Sequence, residues 1–263
     1  MERAVLFFDI DGTLLSERTG EIPDSAVEAL EMARKAGHLL FINTGRTICS
    51  VPAEIRRLPF DGYLCGCGTS IIYRDEVLFE NSLSESRGKA VIEKLIECNV
   101  GGIAEGPEDV YFPGYISRFD KLETTRRYFR RKGMGVECPL ERADFTYDKL
   151  FIYADEQSDL KGFLDFIKDD MEALIRGDNA YEVVQKNYSK ATACRFILDR
   201  FGIAKENAYV FGDSSNDLSM FEFADHAVAM GRHDPVLEPH AEYVTATVEE
   251  DGIAHALAYY RLI

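Results

Sequence analysis

The sequence predicts an α/β fold, an open parallel sheet into which a separate α+β unit is inserted. Three observations predict it. Short apolar runs alternate with amphipathic helical runs over the first third of the chain. The same rhythm returns in the last third. In between, two apolar runs flank a turn-forming cluster, as in a β-hairpin.

Val5-Leu6-Phe7-Phe8 is a continuous apolar run rich in aromatics, which predicts a strand buried on both faces. Ser25 and Glu28 have the spacing of a capping box, and Val27, Leu30 and Ala33 continue at helical spacing to Gly37. Leu39-Leu40-Phe41-Ile42 predicts the second buried strand. A weaker helix follows, with Pro52 at its first turn, and Tyr63-Leu64-Cys65 predicts the third strand. Strands separated by helices in this way pair in parallel through right-handed crossovers.

In the middle of the chain, Leu150-Phe151-Ile152-Tyr153 reads as a strand and Leu160, Phe163, Leu164 and Ile167 as a helix face. Ala173 to Ile175 and Tyr181 to Val184 flank Gly177-Asp178-Asn179, the hairpin signal. This α+β unit is placed at 82–186, between a core of 1–81 and 187–263. Gly101, Gly102 and Gly114, near Tyr111 and Tyr115, suggest a mobile loop in it, although glycines there also suit close packing. The alternating pattern resumes with a helix at Ala193 to Phe201 and a strand at Ala208 to Phe211. Leu218 to Phe223 is a short helix, Ala227 to Ala229 and Glu242 to Val244 are strands, and the final helix starts at Gly252.

Composition narrows the function. Apolar residues make up 46% and charged residues 29% of 263, enough to build a core without disulfide or metal staples. Thirty basic against 46 acidic residues give a formal net charge of −16, which argues against nucleic acid and against an anionic membrane as partners. The run after Met1-Glu2-Arg3 is broken by Asp9 and Asp11, too soon for a signal peptide, and no run approaches the roughly 18 apolar residues of a membrane span. Six cysteines without a metal-site spacing then suggest a reduced, cytoplasmic protein. The basic run from Arg118 to Lys132 reads as a solvated helix face, or as an attractor for an anionic substrate. The five histidines are scattered and show no metal spacing.

In an open parallel sheet, ligands bind beyond the carboxyl ends of the strands. The first predicted strand ends in Asp9-Ile10-Asp11-Gly12-Thr13. Two carboxylates so close repel each other, and a divalent cation compensates them naturally. Mg²⁺ favours a few carboxylates together with water and phosphate oxygens. The second strand ends in Asn43-Thr44-Gly45-Arg46, where a hydroxyl and small-residue amides can cradle a phosphate. The strand at 208–211 runs into Gly212-Asp213-Ser214-Ser215-Asn216-Asp217, which brings two more carboxylates to the same end of the sheet. Lys190, just before a helix, is a point charge able to neutralise phosphate.

In this order, D-x-D-G-T, T-G-R, a lysine and G-D-x-x-N-D, the chain resembles the haloacid dehalogenase superfamily, and most closely its Cof-like phosphatases. The likeness covers the whole chain. Two positions depart from the usual pattern: Ala191 follows the lysine in place of glycine, and Cys67-Gly68 replaces Asn-Gly after the third strand. The resemblance implies a Rossmann-like parallel-sheet core with an inserted α+β cap domain at 82–186. It implies Asp9 as nucleophile through an aspartyl-phosphate and Asp11 as acid and then base. Mg²⁺ would be held by Asp9, the Asp11 carbonyl and Asp213. Thr44, Gly45, Lys190 and Asn216 would bind phosphate, while Asn216 and Asp217 would orient the metal waters and Lys190. The implied activity is hydrolysis of a small phosphorylated metabolite, foremost a sugar phosphate. The alternatives are a phosphotransferase or phosphomutase using the same intermediate, and a non-catalytic regulator that binds a phosphometabolite.

Overall fold

Phe8 and Phe211 stack at 4.4 Å between ring centroids and are register partners on two adjacent parallel strands. They mark the centre of an eight-stranded sheet in a computed structural model that describes residues 3–177 and 179–263. Met1, Glu2 and Asp178 lie outside the described residues. The chain divides into two compact units. One comprises residues 1–46, 51–80 and 188–263, the other 47–50 and 81–187.

The elements of the first unit are β1 (Val5–Phe8), α1 (Asp24–Lys35), β2 (Leu39–Asn43), α2 (Ala53–Arg56), β3 (Gly62–Cys65), β4 (Ser70–Tyr73) and β5 (Glu76–Glu80). The second unit follows with α3 (Glu85–Glu97), β6 (Gly101–Glu105), β7 (Val110–Tyr111), α4 (Asp120–Arg131), β8 (Lys149–Tyr153), α5 (Leu160–Ile167), β9 (Met171–Ile175) and β10 (Ala180–Gln185). The chain then returns to the first unit through α6 (Lys190–Phe201), β11 (Ala208–Gly212), α7 (Leu218–Phe223), β12 (His226–Ala229), β13 (Tyr243–Val244) and α8 (Gly252–Tyr259).

The first sheet has the order β13-β12-β11-β1-β2-β3-β4-β5. Its pairs from β13 to β3 are parallel. The central strands β1 and β2 are buried at every position, as continuous apolar runs require. Successive strands step outward from β1 to β3, and the chain then comes back on the other side of β1 as β11. That reversal opens a crevice between the carboxyl ends of β1 and β11, the place where such sheets bind ligands.

Two local features differ from the sequence reading. Two further strands, β4 and β5, extend the sheet antiparallel beyond β3. The capping box at Ser25 and Glu28 does not form: α1 starts two residues earlier than that box requires, after Pro23, and no side chain caps it. Proline already fixes a helix-compatible φ there, and the Ser25 hydroxyl instead donates to Asp251 Oδ1 at 2.5 Å. Pro52 directly precedes the four-residue α2.

The second unit is a five-stranded antiparallel sheet in the order β7-β6-β8-β10-β9. One face packs on α3 and α5 through Val91, Ile92, Leu95, Leu150, Ile152 and Phe163. The expected hairpin is the β9–β10 pair. Gly101 and Gly102 do not form a loop. They lie inside β6, where a Cβ would sit 2.4 Å from the Phe119 ring and 2.6 Å from Leu95 respectively, so the pair serves close packing. The basic run is only partly a solvated face. Arg126 is buried and donates to the carbonyls of Pro113 and Tyr115, and Arg118 forks onto Asp155. Among the described residues, no helix is long and apolar enough to cross a membrane.

Candidate active site

The crevice between β1 and β11 is lined by carboxylates. Asp9 follows β1, and its amide donates to the Phe211 carbonyl at 3.0 Å, which extends the β1–β11 pairing by one residue. Its side chain is buried beside Lys190, the first residue of α6, whose Nζ donates to Asp9 Oδ1 at 2.6 Å. The same ammonium donates to Asp217 Oδ1 at 2.5 Å and reaches Asn216 Oδ1 at 3.4 Å. Lys190 and Asp217 are both essentially inaccessible to water. A lysine buried this deeply persists only where carboxylates meet it.

Local sequence explains why these groups converge. Ser189 caps α6 through a complete capping box with Thr192, which fixes where Lys190 begins. Asn43, at the end of β2, donates to the Lys190 carbonyl at 3.0 Å. After β11, Asp217 Oδ2 accepts the amides of Asp213 and Ser214, each at 3.0 Å, so the turn is wrapped around that carboxylate. Thr13 Oγ1 donates to Asp213 Oδ1 at 3.0 Å. Gly12 has φ +78°, and a Cβ on it would fall 2.3 Å from Asp213 Oδ2. Any side chain there would press on that carboxylate as well as strain the backbone.

Asp9, Asp213 and Asp217 each offer an oxygen to one small volume, all within 4.8 Å of one another. Three carboxylates thus face one ammonium. Burial, with the nearby Asp217 and Asp11 charges adding to it, overrides Lys190 and pushes the Asp9 carboxyl up to about 7. Burial followed by the Asp9 and Asp217 charges pushes Asp213 up to about 8. Burial opposes the charged form of Lys190, but Asp217 and Asp9 outweigh it and raise its pKa above the ordinary lysine value. The cluster is short of positive charge, and an all-oxygen donor set of this kind suits a hard divalent cation.

The site residues named from the sequence therefore fall into three groups. Asp9, Lys190, Asp213, Asn216 and Asp217 lie together. Thr44 and Gly45 are buried at the end of β2, where the Thr44 amide donates to the Leu64 carbonyl at 2.8 Å. The Asp11 side chain stays out of the three-carboxylate cluster. It is gripped by Arg46, whose Nε donates to Asp11 Oδ2 at 2.7 Å and whose Nη2 donates to Asp11 Oδ1 at 2.8 Å. The sequence reading gave no role to Arg46 or Thr13. Each is a letter of a strand-end motif, T-G-R or D-x-D-G-T, and that is the only trace of them in the sequence.

The family model for haloacid dehalogenase-like hydrolases matches residues 6–257. A Streptococcus pyogenes protein named "Putative bifunctional phosphatase/peptidyl-prolyl cis-trans isomerase" is 29% identical over 98% of this chain and 54% of its own length. The chain thus spans about half of that relative. The pyridoxal phosphate phosphatase YbhA of Escherichia coli is 26% identical, with both chains covered in full. Among solved structures, the subclass IIB sugar phosphatase BT4131 superposes with a TM-score of 0.81 at 29% identity, over 99% of this chain and 100% of the other.

Proposed function

Because the chain belongs to the haloacid dehalogenase-like hydrolases, as a phosphoric monoester hydrolase of that phosphoryl-transfer superfamily, we propose that it is a Mg²⁺-dependent phosphatase of a small phosphorylated metabolite, foremost a sugar phosphate. The observation that carries this reading is the crevice in which Asp9 and Asp217 share the Lys190 ammonium and Asp213 completes a cluster of three carboxylates.

Asp9 attacks phosphorus. An Asp9–phosphorus bond forms and the bond to the leaving oxygen breaks, giving an aspartyl-phosphate. Asp11 gives its proton to the leaving oxygen, then takes one from the water that attacks the phosphorus of the intermediate and frees Asp9. Lys190, with Thr44, Gly45 and Asn216, holds the transferring group and offsets its charge, since phosphoryl transfer is chiefly positioning and charge stabilisation. Asp9, the Asp11 carbonyl and Asp213 would hold the cation, while Asp217 holds Lys190 and the turn that presents Asp213. Bound there, Mg²⁺ supplies the positive charge that lets a carboxylate approach a phosphate dianion.

The inserted unit, 82–186, is the substrate-selecting cap in this reading. The sugar-phosphate class rests on the likeness to BT4131, and the pyridoxal phosphate activity of YbhA makes cofactor phosphates the next class to assay. The enzyme acts in the cytoplasm, in keeping with six cysteines that all carry free thiols.

Rapid quenching with a ³²P-labelled sugar phosphate and Mg²⁺ tests the reading. It predicts protein-bound label that hydroxylamine removes, absent in Asp9→Asn and absent with chelator. Full turnover without such label would contradict it. Free phosphate released in step with substrate loss marks a hydrolase, whereas an isomer formed without free phosphate marks a mutase.

A further inference from the structure

The Asp11 side chain is held by a two-point guanidinium fork that the reaction sequence above does not use. From this we infer that Arg46 is a positioning residue, one that aims the Asp11 carboxyl at the leaving-group oxygen. The inference rests on the reading of Asp11 as acid and base.

The geometry favours aim over stability. Arg46 Nε and Nη2 donate in parallel to the two Asp11 oxygens at 2.7 and 2.8 Å. Two parallel bonds fix the plane of a carboxylate as well as its distance, which one ammonium cannot do. The side chains are 22% and 37% exposed, and an ion pair so open to water adds little to folding. The backbones on both sides are pinned. The Arg46 carbonyl accepts the Gly66 amide at 2.8 Å, and the Arg46 amide donates to Thr44 Oγ1 at 3.2 Å. On the other side, Asp11 bridges to Leu15, whose carbonyl accepts the Gly12 amide at 2.9 Å. The fork is thus a short arm between two fixed points. Placement errors of about 1 Å near a reacting bond are enough to lose on the order of 100-fold in rate.

Leaving-group chemistry separates aim from plain structure. p-Nitrophenolate leaves readily without a proton, whereas benzyl alkoxide needs one. With p-nitrophenyl phosphate and benzyl phosphate as probes, Arg46→Gln should lower kcat/KM at least about tenfold more for the benzyl ester. Asp11→Asn should show the same selectivity more strongly, and adding Arg46→Gln to Asp11→Asn should produce no further selective loss. Arg46→Lys keeps the charge without the fork and should restore only part of the benzyl rate.

Equal losses on both esters in Arg46→Gln, beside a selective loss in Asp11→Asn, would overturn the inference and leave the Asp11 reading standing. Full rescue by lysine would overturn it too, since charge alone would then suffice. A non-selective Asp11→Asn would remove the acid reading itself and the inference with it. Melting curves of the variants separate these outcomes from misfolding.

Discussion

Each of the two units buries a cluster of charges, and the two clusters are built on opposite terms. In the second unit, Glu182 on β10 pairs with Lys149 on β8 and accepts from Arg176 at 2.6 and 2.8 Å, with Glu105 on β6 at 3.9 Å from Lys149. Two cations meet two carboxylates, and the charges balance. Burial works against the ionised Glu182, but Lys149 and Arg176 outweigh it and hold its carboxyl down to about 2. In the first unit, three carboxylates cluster beside one lysine, which pairs with Asp9 and Asp217, and Asp9 and Asp213 are pushed up to about 7 and about 8. Asp9 and Glu182 are similarly buried, yet their shifts are opposite, according to how many cations the fold supplies. A balanced cluster is closed and serves the fold. An unbalanced one carries a standing electrostatic penalty that a bound cation relieves, which is the mark of a working site.

The comparison is broken most severely at Asp9. Asp9→Asn keeps the shape of the side chain but removes the proposed nucleophile, and turnover should fall by on the order of 10³-fold or more while the melting temperature holds or rises. Steady-state assay and calorimetry on one preparation check both halves. A comparable cut in the balanced cluster should act the other way. Glu182→Ala strands Lys149 and Arg176 and should destabilise the second unit by about 3–5 kcal/mol, the range for breaking a buried pair, yet leave Mg²⁺ binding near wild type. Denaturant unfolding and metal titration read the two effects separately.

The opposite shifts also give opposite pH dependences. Glu182 sits below its ordinary range, so its contribution is present above about pH 4.5 and is lost as pH falls toward 2. Asp9 and Asp213 sit above theirs. Without metal, the folded chain keeps protons that an unfolded carboxylate releases near pH 4, so stability falls as pH rises from there through about 7 and 8. The gain in melting temperature on adding Mg²⁺ should accordingly widen from about pH 6 to about pH 9. The smallest effect belongs to the exposed arginines of α4. Replacing Arg127, Arg130 and Arg131 together should raise KM a few-fold at low salt and hardly at all at high salt, if they draw in an anionic substrate.

The buried strands were plain in the sequence because parallel sheets covered on both faces leave unbroken apolar runs, as β1, β2 and β11 do. The strand-end carboxylates were plain for the same reason, since polar residues at the end of such a run stand out. The β4–β5 extension was hidden. Glu76–Glu80 is an edge strand with exposed and half-buried side chains, so no apolar run marks it, and its turn uses Arg74 at positive φ in place of a glycine. β6 was masked by Gly101 and Gly102, which the neighbours Phe119 and Leu95 require and which read as a loop when seen alone. Arg46 was visible as a letter of its motif, but its grip on Asp11 depends on two loops 35 residues apart, a pairing that spacing does not encode.

The central claim is that a shortage of positive charge at Asp9, Asp213 and Asp217 is filled by a divalent cation. Calorimetric titration of Mg²⁺ into chelator-treated protein, at about pH 6 and about pH 9, tests it most directly. The account predicts a single bound ion, tighter binding at the higher pH, protons released on binding between the two, and loss of binding in Asp213→Asn. Binding that ignored pH, or that survived unchanged in Asp213→Asn, would contradict it.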